Sequence, residues 1–138
     1  MKRTVSMLGL TMAGGIVLGM IGSQVLLAQQ APVKRTILQQ KEIEGMPDKE
    51  AVMYLAEIIP GGVAARHFHP GPEVGYVLEG SIILEPDGQA PITFKAGDTF
   101  HNPSKNVHSA KNASATEPAK VLVFMIGDKG QPLATAVP

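Results

Sequence analysis

From Ala51 onward the chain is written in short runs of apolar and β-branched residues separated by turn signals. "AVMYLAEIIPGG" reads as a strand halted by Pro-Gly-Gly, and "AARHFH" as a second. "EVGYVLEGSIILEPDG" reads as two strands broken at Glu79-Gly80. "PITF", "DTFH", "VHSAKN" and "KVLVFMI" follow. "PDGQ" and "KAGD" are tight turns, the second with Gly97 placed for a positive φ. No segment after Ala51 sustains a helical period. Many short strands at close spacing predict an all-β domain, a sandwich or barrel.

Upstream the pattern differs. Lys2 and Arg3 precede an uncharged, apolar stretch over residues 5 to 28, the arrangement of an export signal. Its length also reaches the ~20 residues of a membrane-spanning helix, but five glycines lower its helix propensity. Residues 1 to 28 are therefore read as a signal peptide or an uncleaved anchor, and the protein as exported, periplasmic or secreted. Residues 29 to 48 read as a polar tether with a short edge strand near residues 36 to 38 and a turn at "GMPDKE". Residues 49 to 138 form the domain, whose Pro-containing tail wraps over it or frays.

The chain has 138 residues, room for one domain, with twelve basic and twelve acidic side chains. Losing Lys2 and Arg3 would leave it weakly acidic. With no basic patch and few aromatics, nucleic-acid binding has no footprint. The chain contains no cysteine, which excludes disulfides, thiolate catalysis and thiolate-held metals. Any metal must be held by nitrogen and oxygen.

Two of the four histidines stand one residue apart, in "RHFHPGPE". Strand alternation puts His67 and His69 on one face, about 7 Å apart along the chain. From there two imidazoles can reach one ion. The Pro70-Gly71-Pro72 turn then brings Glu73 back toward them. Two imidazoles and a carboxylate leave open coordination positions on a transition metal.

Gly61, His67, His69, Glu73 and Gly80 have the spacing G-x5-H-x-H-x3-E-x6-G, and Gly97, Pro103, His108 and Asn112 that of G-x5-P-x-G-x2-H-x3-N, with Lys105 in the glycine place. Nine of these ten positions match, and the chain thereby resembles the cupins, in particular small, single-domain, quercetin-dioxygenase-like members. The resemblance implies a jelly-roll β-barrel holding one divalent transition metal (manganese, iron, nickel, copper or zinc) on His67, His69, Glu73 and His108. It implies a small-molecule ligand or substrate. It also leaves three functions open: a metal-dependent dioxygenase acting on a small oxygenated molecule, a non-catalytic binding barrel, or an isomerase, lyase or decarboxylase. Glu73 would be a fourth ligand or the catalytic base. A proton-transfer enzyme would show a second acid or base in the cavity, and an inert binder no polar group besides the ligands. A homodimer is a further expectation, pairing through residues 33 to 38.

Other positions read as structural. His101 is a rim histidine, Arg66 faces away from His67, Tyr76 faces away from Glu73, and Glu57 points outward. Met53, Leu55, Val77, Phe94, Phe100, Phe124 and Met125 are wall candidates, subject to a one-residue error of parity. Asn112 either orients a ligand or forms the strand end. Lys105 would pay about 1 kcal/mol to adopt a positive φ, which predicts a rearranged loop.

Overall fold

A computed structural model describes residues 31–138. The leader or anchor expected over residues 1 to 28 lies outside the described residues. Among the described residues there is no helix, and all pairing is antiparallel. The strands are β1 (Val33–Ile43), β2 (Met46–Ile58), β3 (Val63–Phe68), β4 (Glu73–Glu79), β5 (Ser81–Pro86), β6 (Ile92–Lys95), β7 (Thr99–Asn102), β8 (His108–Asn112), β9 (Ala119–Asp128) and β10 (Thr135–Ala136).

They form two five-stranded sheets, β1-β2-β9-β4-β7 and β10-β3-β8-β5-β6. The order is that of a jelly roll, but the expected barrel is not closed. At one seam Phe94 of β6 packs on Phe100 of β7, ring centroids 5.4 Å apart. At the other a groove separates β1 from β3 and β10. Side chains fill or line these seams where closure would need ladder hydrogen bonds, so the edges stay unpaired.

The first strands are longer than the sequence suggests. The tether is mostly β1, and the turn expected over "GMPDKE" is shorter and earlier: Glu44-Gly45 make the hairpin and Met46 to Glu50 already belong to β2. The short segment seen at residues 36 to 38 is the middle of an edge strand. Polar side chains hid the rest, because β1 covers only one flank of β2. The tail does not fray: Thr135 and Ala136 pair with Phe68 and His67.

Between the sheets lies a core of Val52, Tyr54, Ala56, Ile58, Val77, Ile82, Ala119, Val121, Val123 and Met125. Of the predicted wall residues, Val77 and Met125 are core, and Phe94 and Phe100 pack against it. Met53, Leu55 and Phe124 have the opposite parity. They lie on the outer face, where Met53 is opposite Phe124 and Leu55 opposite Leu122. Both faces of β2 and β9 carry apolar residues, so alternation alone could not choose between them.

Two glycines permit close packing. Gly75 lies under the Phe100 ring, where an added Cβ would come 2.1 Å from Cζ. Gly80 takes φ +70° at the corner between β4 and β5, and the chain thereby crosses from one sheet to the other.

Candidate metal centre and cavity

His67 and His108 are direct partners across the β3–β8 ladder. The register slips between Ala64 and His67: three steps on β3 match two on β8. This bulge, at Ala65-Arg66, lets both Ala64 and His67 face inward despite their odd separation, while Arg66 turns outward to pair with Asp87. His69 follows just past the end of β3, and the Pro-Gly-Pro turn leads to Glu73 at the head of β4. His67, His69, Glu73 and His108 are all buried, at 6, 4, 2 and 2% exposure.

One nitrogen from each of the three histidines lies within 4.8 Å of the others. Each ring is oriented from behind by a backbone carbonyl. Nδ1 of His67 donates to Ala65 O (2.6 Å), that of His69 to Leu133 O (2.6 Å) and that of His108 to Asn106 O (3.0 Å). A carbonyl only accepts, so each proton sits on Nδ1 and each Nε2 keeps a free lone pair. His67 Nε2 and His69 Nε2 are 3.1 Å apart. Two bare acceptors at that distance repel, and a cation between them relieves the repulsion. The donor set fits a divalent transition metal, with three neutral imidazoles as nitrogen ligands.

Burial keeps those imidazoles neutral. It lowers His67 to about 4 and His69 to about 3, against the opposing effect of the carbonyl bonds, and it lowers His108 as well.

Glu73 stands beside the nitrogen cluster and is not part of it. Its Oε1 accepts from the Tyr54 hydroxyl and lies 3.1 Å from His69 Nδ1, and its Oε2 accepts from Asn102 Nδ2 at 3.3 Å. Since His69 is neutral near pH 7 and its Nδ1 proton is directed to Leu133 O, its approach to Glu73 is not an ion pair. Burial raises Glu73 to about 7, although the Tyr54 and Asn102 bonds oppose the rise. Tyr54 is itself pushed well above its usual value, first by burial and then by the adjacent carboxylate, and so stays a donor.

The cluster forms one wall of a narrow cavity with about 50 Å³ of free space, also lined by Arg35, Tyr54, Leu84, Phe100, Asn102 and Val123. Tyr54, Asn102 and Arg35 escaped the sequence reading. Tyr54 could have been found by shifting the parity of β2 by one. Asn102 reaches Glu73 only through the β4–β7 register, where the two are paired. Arg35 lay in the segment read as a tether.

The remaining sequence readings resolve individually. His101 is exposed, as are Arg66 and Tyr76. Tyr76 faces away from Glu73, as alternation required, and Glu57 lies on the outer face 3.8 Å from Lys34. Asn112 is a strand-end residue: its amide donates to Ile58 O, Ile59 O and Glu117 O, and its Oδ1 accepts from Ser114 N. The Lys105 loop is not rearranged. Lys105 adopts the glycine-like φ of 57°, and its N–H donates to His69 O at 3.2 Å.

Residues 54–125 match the Cupin domain family. No curated protein matches the chain. Among solved structures, a cupin superfamily protein from Desulfitobacterium hafniense is 18% identical, with TM-score 0.58 over 73% of this chain and 83% of that one. An oxalate oxidase in complex with the substrate analogue glycolate is 24% identical, with TM-score 0.62 over 80% of this chain and 58% of that one. The DMSP lyase DddQ from Ruegeria pomeroyi is 23% identical, with TM-score 0.64 over 84% and 57%. This chain therefore spans under three fifths of both enzymes, and the likeness is one of fold.

Proposed function

The chain belongs to the cupin family, and on that footing we propose that it is a metal-dependent enzyme that moves a proton on a small oxygenated molecule. The observation that carries this reading is the back-side locking of His67, His69 and His108 by three backbone carbonyls, which leaves three Nε2 lone pairs for one divalent ion. When bound, the ion supplies Lewis acidity toward a substrate oxygen.

The protein's own groups do the rest. Glu73, raised to about 7, is poised to accept or return a proton near neutral pH. Its Oε1 is engaged by Tyr54, while Oε2 has only the longer Asn102 contact, so Oε2 is the basic atom. Tyr54, a buried hydrogen-bond donor beside Glu73, together with Asn102 and Arg35, gives the cavity polar groups beyond the ligands, which argues against an inert binder. About 50 Å³ corresponds to about four waters, so the substrate is small.

Dioxygenase chemistry is the second reading. The nitrogen cluster omits Glu73, which leaves positions open for a second small molecule beside the substrate. The oxalate oxidase and the lyase among the similar structures support each reading equally. We further propose export through residues 1 to 28, which N-terminal sequencing of protein from an exporting host checks, and a homodimer.

The deciding experiment is elemental mass spectrometry of the full chain purified without chelators, beside the His67→Ala/His108→Ala double variant. Near-stoichiometric metal in the parent and its loss in the variant supports the metal site. Negligible metal in both overturns it. Iron, manganese, nickel or copper would favour oxygen chemistry, and zinc proton transfer.

A further inference from the structure

Arg35 occupies an unexpected face. It is paired with Ala56 across the β1–β2 ladder, and its neighbour Val33 on the same face is paired with Ile58. Ala56 and Ile58 are core residues, and partners across a ladder share a face. The Arg35 side chain is therefore directed between the sheets. It lines both the inner cavity, with the three histidines, and the outer groove between β1 and β10, where Ala64, Ala134 and Ala136 form the walls. It stands where the open seam meets the metal centre.

Six other cations among the described residues are ion-paired, among them Lys34 with Glu57, Arg66 with Asp87, Lys111 with Glu85 and Lys120 with Glu79, and Lys41, Lys95 and Lys105, which are not, are exposed where Arg35 is half-buried. Among the described residues no carboxylate lies within ion-pair distance of Arg35. Glu73 is the one acid among the residues lining the cavity, and its oxygens are taken by Tyr54 and Asn102. The Arg35 charge is nonetheless felt throughout the site, where it lowers the proton affinity of His67, His69, His108 and Glu73. A half-buried guanidinium that meets the Tyr54 hydroxyl but no carboxylate, and faces a cluster suited to a cation, has no anion to balance its charge.

We infer that Arg35 is the anchor for a substrate carboxylate, and that the ligand is a small organic acid entering through the β1–β10 seam. A planar guanidinium matches a carboxylate with two parallel N–H···O bonds. Its position at the seam leaves the other end of the acid facing the imidazoles. The apolar lining favours an organic acid over a hydrated inorganic anion, and the cavity volume limits the acid to a few carbons. This assignment rests on the metal-centre reading only for the far end of the molecule.

The test uses glycolate as the probe, with ethylene glycol as its neutral relative and phosphate as the inorganic anion. Each is titrated calorimetrically into the parent, Arg35→Gln and Arg35→Lys, metal-free and zinc-loaded. Zinc uptake is read first and separately, so failure of the metal reading shows there. The expected result is glycolate binding to the parent, weakened about tenfold or more by Arg35→Gln and less by Arg35→Lys, with unchanged zinc stoichiometry and no binding of ethylene glycol. Should the parent take up no zinc, glycolate binding to the metal-free parent and its loss in Arg35→Gln still support the anchor. Equal glycolate affinity in parent and Arg35→Gln overturns it. So does glycolate binding to neither form, or tighter binding of phosphate than of glycolate.

Discussion

The Tyr54 hydroxyl donates to Oε1 of Glu73 from the neighbouring region of the same sheet, with both side chains buried at 2% exposure. The bond stabilises the ionised carboxylate, and burial works against it. Tyr54→Phe removes the donor and keeps the ring, so Glu73 rises further above 7. A charge-assisted hydrogen bond of about 1.5 kcal/mol corresponds to about one pH unit. Carbon NMR titration of the Glu73 carboxyl in parent and variant measures the shift; an unchanged midpoint would mean that the hydroxyl does not hold the carboxylate in solution.

Metal should also act as a stability ligand. Binding to the folded state alone adds about 2.7 kcal/mol at a free concentration one hundred times Kd, or on the order of 10 °C in Tm for a domain of this size. Thermal melts with and without zinc are expected to show that rise in the parent. In His108→Ala, which removes one of the three nitrogens, the rise should largely vanish. A similar rise in both would place the ion elsewhere.

Alternation on β4 was legible, with Glu73 and Gly75 inward and Val74 and Tyr76 outward, because one face is plainly polar or small. On β2 and β9 it was not, since Met53, Leu55, Leu122 and Phe124 give the outer face the same apolar character as the core. The three histidines could be picked out by spacing, but the convergence of His108 came only from the family resemblance. It depends on a β3–β8 register set by a bulge that no local pattern announces. Arg35, Tyr54 and Asn102 reach the site through ladder registers between distant segments. An open sandwich and a closed barrel also share strand lengths and alternation, so the unpaired seams left no sequence signal.

That apolar outer face favours a homodimer through β4 and β9 rather than through residues 33 to 38. Phe124, Val74, Tyr76 and Ile126 are 41, 53, 44 and 37% exposed on adjoining strands β9 and β4, a patch of the kind that marks an interface. Sedimentation velocity is expected to give a dimer for the parent and a monomer for Phe124→Lys, with the fold retained because the position is outward. A monomeric parent would remove the interface.

Lys105 carries a measurable strain. A lysine at φ 57° costs about 1–2 kcal/mol relative to an unstrained residue, partly offset in glycine by its greater unfolded-state freedom. Lys105→Gly should therefore stabilise the protein by up to about 1 kcal/mol, a few degrees in Tm. Its N–H bond to His69 O involves only backbone and survives the change. A loss of stability would mean that the lysine side chain contributes more than the backbone strain removes.

The metal-free protein should weaken as it is acidified. The folded values of about 4 for His67 and about 3 for His69, with His108 also lowered, lie below the ordinary 6.5. Their contribution is thus complete above about pH 6.5 and is lost as pH falls toward 4, because the unfolded chain takes up protons that the folded one refuses. Glu73 acts in the opposite sense: raised from 4.5 to about 7, its contribution is present below 4.5 and is lost as pH rises through 7. Between about 4.5 and 6.5 three groups oppose one, so stability falls on acidification, and below 4.5 the ion-paired Glu42, Glu85, Asp87 and Asp128, held below their usual values, add to the loss. Thermal melts in chelator at stepped pH from 7.5 to 4.5 should show a steadily falling Tm. Glu73→Gln should steepen that fall across the same window, because the variant lacks the opposing gain. A Tm that is flat or rises toward pH 4.5 would mean that the imidazoles are protonated in the folded state and unfit to serve as neutral ligands.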